Sequence, residues 1–160
     1  MAGLVNPDDD SAKVTFPPPL VYLGTLLLGL LADSLAGLAL PLTQPVRIAG
    51  VAVLVTLGLL IIFAGLFRFR QAGTDPEPWK TSSAIVRKGI YRSTRNPMYL
   101  GMAIAYLGLA LGLASLSALV LFPVLIVIIQ TQVIAREERY LEAKFGEDYR
   151  SYKSDVRRWL

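Results

Sequence analysis

The chain has 160 residues, of which 54% are hydrophobic, with a mean hydropathy of +0.51 and a formal net charge of +4. These values are high for a soluble globular domain, and we interpret the positive charge as a signal of membrane topology and attraction to anionic lipid, without a nucleic-acid site. Cys and His are both absent. Their absence excludes disulfides, thiolate nucleophiles and the usual zinc sites, so we expect no metal.

Long apolar runs predict membrane-spanning helices. Residues 20–40 carry one charge, residues 48–67 carry none, and residues 96–135 are uncharged for 40 residues. A span needs about 20 residues, so the last run has room for two. We therefore predict an all-α polytopic membrane protein with about four transmembrane helices, at about residues 20–40, 46–67, 97–113 and 116–135. They form a single membrane domain, residues 17–160, after a polar N-terminal tail, residues 1–16, that we expect to be poorly ordered.

The connection at residues 71–96 differs in composition from the spans on both sides of it. It contains "GTDPEPW" and "RKGIYRSTR", whose Pro, Gly and charges argue against a span. Connections of this length are commonly functional. Seven Lys and Arg residues lie between positions 66 and 96, which predicts by the positive-inside rule that this loop and both termini are cytoplasmic. The membrane is then the cell (inner) membrane if the protein is prokaryotic.

The C-terminal residues 136–160 predict an amphipathic helix at the membrane surface. Leu141, Phe145, Tyr149 and Tyr152 recur at spacings of four, four and three, which places them on one helical face. Charged residues occupy the other face, and Gly146 is a point where the helix can break. Trp159 is expected to anchor the segment at the interface.

The start of the third predicted helix gathers polar groups. Asn96 is a good N-cap, followed by Pro97 at the first helical position. The free amides of this helix end and the side chain of Arg95 would together attract an anion. Tyr91 and Tyr99 add aromatic faces with hydroxyl groups. The alternative is a well-capped transmembrane helix with Tyr at headgroup level and Arg for topology.

Carboxylates occur at two places that raise a functional question. Glu137 and Glu138 directly follow the fourth apolar run, where they could stabilise a cationic ligand or pair with Arg136 and Arg139. Asp33 lies within the first run, where a charge is costly and often functional. The alternative for Asp33 is a position close to the outer interface.

Two motifs at opposite ends of the last helical hairpin resemble a known superfamily. "GIYRSTRNPMYLG" (residues 89–101), two apolar spans, and "EERYLEAKFGEDYRSYKSDVRRW" (residues 137–159) occur in order. They resemble the isoprenylcysteine carboxyl methyltransferase and phospholipid methyltransferase superfamily of integral membrane enzymes, over about residues 76–159. The resemblance implies methylation of a lipophilic or small hydrophobic acceptor at the cytoplasmic face, with S-adenosylmethionine as cofactor and S-adenosylhomocysteine as product.

The resemblance also implies which residues form the site. The implied cofactor-binding residues are Ser83, Ala84, Ile85, Val86, Tyr91, Arg95, Asn96, Pro97, Met98, Tyr99, Glu137 and Glu138. The implied catalytic residues are Glu137, Arg136 and Asn96. The cofactor's carboxylate needs amides and a hydroxyl, and its sulfonium needs negative or aromatic neighbours.

The sequence departs from the prenylcysteine enzymes at two motif positions, and it leaves other functions open. Those enzymes have His where this chain has Asn96, and Arg where it has Val133, so we expect a different lipid or small hydrophobic acceptor. One alternative is an NADPH-dependent membrane reductase related to the sterol reductases, in which Arg87, Lys88 and Arg92 would meet a 2′-phosphate. The other is a non-catalytic membrane scaffold.

Overall fold

A computed structural model describes residues 3–160, and within them it contains helices and no strand. Residues Val51–Val55 and Ile129–Ile134 are π-helical turns, and Gly89–Arg92 is a 3₁₀ turn. The all-α prediction is confirmed. The helices are α1 (Pro18–Ala36), α2 (Gln44–Ala72), α3 (Pro97–Gly112), α4 (Leu116–Ile128), α5 (Ala135–Phe145) and α6 (Glu147–Asp155).

The helix lengths agree with about four membrane spans. Pro18–Ala36, Gln44–Ala72 and the continuous helix Leu116–Phe145 are each long and apolar enough to cross a membrane. Helix α3 is apolar but has 16 residues, which is about 24 Å against a hydrocarbon layer of about 30 Å. Many leucines on the outward faces of α1 and α2 are exposed. Exposed apolar faces suit lipid as the solvent.

Glycines set where the first helix ends and where the last long helix breaks. Helix α1 stops at Ala36 because Gly37 adopts a left-handed conformation, with φ of 66°, and donates to Asp33 O. The fourth predicted helix does not end at Ala135. It continues through the π turn into α5, and the break comes at Gly146, with φ of 55°.

Helices α2 and α3 touch backbone to backbone through glycines. A Cβ atom on Gly58 would lie 2.5 Å from the carbonyl oxygen of Gly101, and one on Gly101 would lie 2.6 Å from that of Gly58. Farther along the interface, a Cβ on Gly65 would lie 2.9 Å from Met98 Cγ. Small residues at such crossings let membrane helices approach closely. The start of α3 is therefore held against α2.

At one end of the bundle, Asp33 joins α1 to the start of α4. Its carboxylate accepts a 3.0 Å hydrogen bond from Ser117 N and another from Ser115 Oγ. Leu40 N donates to Ala114 O at 2.8 Å across the same end. The buried charge in α1 thus caps a neighbouring helix, which accounts for it without a catalytic role.

At the other end, an N-terminal segment (residues 3–16) packs onto the loop between α2 and α3. Val14 is fully buried. Thr81 N donates to Asp8 Oδ2 at 3.0 Å, and Tyr140 Oη donates to Asp10 O at 3.0 Å. Residues 3–16 are thus a packed segment, and not the poorly ordered tail predicted for residues 1–16, of which residues 1 and 2 lie outside the described part of the chain.

The C-terminal residues fold back onto the same end of the bundle. Tyr152 Oη donates to Tyr91 O at 2.8 Å, and Arg95 N donates to Arg157 O at 3.0 Å. Trp159, expected as an interface anchor, donates from Nε1 to Gln130 Oε1 at 3.0 Å. The loop, the N-terminal segment and the C-terminal residues therefore meet on one side of the bundle.

Candidate functional site

A pocket opens where the loop before α3, the first turn of α3, and helices α5 and α6 meet. Its volume is about 90 Å³, several times the roughly 10–15 Å³ that a buried water needs, so it is more than a packing gap. Its lining residues come from separate parts of the chain. It is lined by Ala12, Phe69, Asp75, Pro76, Glu77, Pro78, Lys80, Ser82, Ala84, Ile85, Val86, Tyr91, Arg95, Asn96, Met98, Tyr99, Glu137, Glu138, Tyr140, Leu141, Tyr149 and Tyr152.

A hydrogen bond between Tyr99 and Glu137 connects the two motifs. Tyr99 lies in the first turn of α3 and Glu137 in the first turn of α5, and Tyr99 Oη donates to Glu137 Oε1 at 2.9 Å. Tyr99 itself is held from behind, because its carbonyl accepts a 3.0 Å hydrogen bond from Tyr22 Oη of α1. One oxygen of the Glu137 carboxyl group is thus fixed by the protein, and the group faces the pocket.

Tyr91 presents a buried hydroxyl group to the pocket. Its ring packs edge-on against Phe69 with centroids 5.6 Å apart. Its Oη is buried and has no hydrogen-bond partner among residues 3–160. Burial, and secondarily the charge of Glu137, raise the pKa of Tyr91, so the phenol stays neutral and can donate. A buried polar group without a partner is uncommon and indicates a ligand or water position.

Glu138, next to Glu137, is engaged entirely with cations of the protein. Arg95 Nη2 lies 2.8 Å from its Oε1, and Arg158 binds it through two nitrogens at 2.9 and 2.6 Å. The side chains of Glu138 and Arg95 are both 8% exposed, so removing one partner of this cluster is costly. The hydrogen bond to Glu138 raises the pKa of Arg158. Glu138 therefore fixes the loop and the C-terminal residues to α5.

Asn96 occupies the N-cap position of α3 but does not cap it with its side chain. Its Nδ2 donates to Arg158 O at 2.9 Å, and the neighbouring Thr94 Oγ1 donates to the same carbonyl at 3.1 Å. The predicted side-chain cap is therefore wrong. The amide binds the returning C-terminal residues instead of the first turn of α3.

Most of the predicted site residues come together in this pocket. Three do not line it: Ser83, Pro97 and Arg136. Ser83 Oγ donates to the backbone of Gly73, and Pro97 is fully buried at the start of α3. Arg136 points to the N-terminal segment and donates to Lys13 O at 3.3 Å. The residues that do line it are Ala84, Ile85, Val86, Tyr91, Arg95, Asn96, Met98, Tyr99, Glu137 and Glu138.

Sequence reasoning missed two walls of the pocket. Ala12 comes from the N-terminal segment, which has no periodicity or motif that would mark it. Tyr149 and Tyr152 were recognised as one apolar face with Leu141, but that face was assigned to the membrane surface, and the structure turns it toward the pocket. Burial raises the pKa of Tyr152 to about 12. Both tyrosines are neutral and form an aromatic wall.

Comparisons with known proteins concern the family of the chain. The family described as phospholipid methyltransferase matches residues 46–148, a range that includes the loop, α3, α4, α5, the whole first motif and the first part of the second. An uncharacterized protein of Haemophilus influenzae is 46% identical over 63 residues, which are 39% of this chain and the whole length of that protein. No solved structure matches.

Proposed function

Because this chain belongs to the phospholipid methyltransferase family, we propose that it is an S-adenosylmethionine-dependent enzyme that methylates a lipophilic acceptor at the cytoplasmic membrane face. The observation that carries the proposal is one pocket in which a carboxyl group held by a tyrosine, Glu137 with Tyr99, lies beside the partnerless hydroxyl of Tyr91. When bound there, the cofactor supplies an electrophilic methyl group.

The residues of the pocket fit the parts of this cofactor. A sulfonium cation is stabilised by a carboxylate and by aromatic faces, which Glu137 and the tyrosine wall supply. The cofactor's own carboxylate needs a neutral donor, and Tyr91 Oη is one. Its adenine needs an apolar wall, for which Val86 and Met98 are available. No group of three or more carboxylates within residues 3–160 is arranged to hold a metal ion.

Methyl transfer is an in-line displacement, and the protein's task is alignment and the exclusion of water. We assign alignment to Glu137, because Tyr99 fixes its orientation. Asn96 is assigned an indirect part, since it holds the C-terminal residues over the pocket through Arg158 O. Arg136 takes no part in this scheme because it lies outside the pocket.

The same geometry favours an acceptor other than a prenylcysteine. Val133 stands where the prenylcysteine enzymes have a substrate-binding Arg, and it is fully buried. Because the side chain of Val133 has no charge, this position supplies no cation to bind a substrate carboxylate. The exposed apolar faces of the spans make a lipid-soluble acceptor accessible from the bilayer. We therefore propose a different lipid or small hydrophobic molecule.

Calorimetric titration of the detergent-purified chain with S-adenosylhomocysteine tests the cofactor, with NADPH titrated in parallel. We expect saturable binding of S-adenosylhomocysteine alone, followed by transfer of radiolabelled methyl from S-adenosylmethionine to a lipid extract. Binding of NADPH alone would replace the methyltransferase with a reductase. Failure of the folded protein to bind either would refute catalysis by this pocket.

A Tyr91→Phe variant sharpens the test, because the hydroxyl it removes has no partner in the protein. We expect it to leave the thermal midpoint unchanged and to lower the affinity for S-adenosylhomocysteine by about 5–10-fold. This factor corresponds to the loss of one hydrogen bond, which is about 1–1.5 kcal/mol. The matched control is Tyr106→Phe, which removes a 2.8 Å hydrogen bond to Ala118 O far from the pocket. That control should lower stability and preserve affinity.

A further inference from the structure

A second pocket lies beside the C-terminal end of α2, separated from the first by the chain at Ile85 and Val86, which line both. Its character is basic. Three cations and a side-chain amide surround it: Arg68, Arg87, Lys88 and Gln71.

Arg68 lies at this pocket in contact with the backbone at Gly89. Gly89 has φ of 63°, and a Cβ atom there would come within 2.2 Å of Arg68 Nε. The guanidinium therefore packs against Gly89 and occupies the space that a Cβ atom would fill. Its polar partner is neutral, because Arg68 Nη1 donates to Gln71 Oε1 at 2.8 Å. The charge of Arg68 is thus positioned without being neutralised.

The other two cations add to this unbalanced charge. Lys88 is exposed and makes no ion pair among residues 3–160. Arg87 lies over the ring of Tyr152 at 5.8 Å and donates to Asp148 O, with the carboxylate of Asp148 at 3.9 Å. The ion pair of Arg87 is exposed and contributes little. The pocket therefore carries more positive than negative charge.

The pocket lies where an apolar helix face meets polar chain. Leu60, Phe63 and Phe67 of α2 are 62%, 63% and 55% exposed, which is a lipid-facing surface in a spanning helix. Helix α2 ends at Ala72, and the polar loop follows directly. Cations at such a border lie at the level of the lipid headgroups.

We propose that this pocket binds the phosphate of a phospholipid whose acyl chain lies along the exposed face of α2. Guanidinium groups match phosphate oxygens in geometry as well as in charge. A lipid is preferred to a free anion because Phe63 and Phe67 supply apolar contact that inorganic phosphate cannot use. This binding does not depend on the proposed methyl transfer.

The test is native mass spectrometry of the full chain in detergent, titrated with short-chain phosphatidylglycerol and, separately, with inorganic phosphate. We expect saturable binding of one lipid and no comparable binding of phosphate. Arg68→Gln/Lys88→Gln should weaken the lipid at least about tenfold, or about 1.4 kcal/mol. The control Arg70→Gln/Arg92→Gln removes the same charge from exposed residues outside the pocket and should change affinity less than about twofold.

Equal weakening in the two double variants would overturn the proposal in favour of general attraction to a basic surface. Inorganic phosphate binding as tightly as the lipid would overturn the lipid assignment. Lys88→Gln alone removes an exposed side chain and leaves the packing of Arg68 against Gly89 unchanged. This single variant keeps the test valid if the double variant does not fold. We expect it to bind the lipid about threefold more weakly than the wild type. Titration with S-adenosylhomocysteine in the same variants separates loss of this lipid site from failure of the proposed function.

Discussion

Replacing Glu137 by Gln should lower the affinity for the cofactor, which has a charged sulfur, more than the affinity for the product, whose sulfur is neutral. S-adenosylmethionine carries a sulfonium cation, whereas S-adenosylhomocysteine has a neutral thioether in its place. The amide keeps an oxygen for the hydrogen bond from Tyr99, now 2.9 Å long, so the change is confined mainly to charge. At about 5 Å and an effective dielectric constant of about 20, a charge pair is worth about 3 kcal/mol. Desolvation offsets part of this, which leaves about 1.4–2.7 kcal/mol, or about 10–100-fold in affinity.

The assay is calorimetric titration of both ligands into the purified wild type and Glu137→Gln. We expect the affinity of Glu137→Gln for S-adenosylmethionine to fall by that factor, and its affinity for S-adenosylhomocysteine to fall by less than about threefold. Glu142→Gln is the matched control, because Glu142 lies on the same helix, pairs with Lys153 at 3.1 Å and does not line the pocket. Equal losses for both ligands would mean that Glu137 binds a group they share, and the reasoning about the sulfonium would be refuted.

Three further substitutions distinguish the parts of the structure. Tyr99→Phe frees the Glu137 carboxyl group and should weaken S-adenosylmethionine by about 3–10-fold in the same titration; an unchanged affinity would remove Tyr99 from the site. Asp33→Ala leaves two donors of the α4 start without an acceptor, so it should lower the free energy of unfolding by about 2 kcal/mol and leave S-adenosylhomocysteine affinity intact, as measured by denaturation and calorimetry. Arg158→Gln removes the bidentate partner of Glu138 and should expose residues 156–160 to hydrogen exchange; protection equal to wild type would contradict the anchoring role.

The spans and the motif hairpin could be predicted because each is encoded locally. Uncharged runs of about 20 residues have one physical explanation in a chain of this composition. A glycine in a span, such as Gly101, lets a neighbouring helix approach closely, and the structure places Gly58 of α2 there. The sequence could not predict that the partner is α2, because every span is apolar and the spacing of glycines in one helix does not show which other helix packs against them.

The polar closures of the pocket could not be predicted, because they are long-range contacts of segments without periodicity. Asn96 was assigned to capping α3 on local grounds, yet its amide binds Arg158 O, 62 residues away. Lys144 belongs to the charged residues opposite the apolar face of the C-terminal segment, yet it pairs with Asp10 of the N-terminal segment. Local sequence indicates which kinds of hydrogen bond a side chain can form, whereas tertiary packing determines which partner lies within reach.

The C-terminal stripe shows the same limit in another form. The spacing of Tyr149 and Tyr152 correctly places them on one face, because it follows from helical geometry alone. Whether that face meets lipid or protein depends on the break at Gly146, where φ of 55° redirects α6. An apolar face has the same composition in either environment, so the sequence leaves its partner open.

The contacts around the pocket differ in strength, and this difference determines which wall is easiest to move. On the C-terminal side, Glu138 holds Arg95 and Arg158 in a buried cluster whose disruption strands a charge. On the N-terminal side, the ties are the exposed bonds of Asp8 to Thr81 and the exposed pair of Asp10 with Lys144. Exposed pairs of this kind contribute about 0–1 kcal/mol each. Fully buried Val14 adds an apolar contact to these ties. The polar bonds of the N-terminal segment are therefore weaker than the buried cluster on the C-terminal side, and the packing of Val14 is the main resistance to moving that wall.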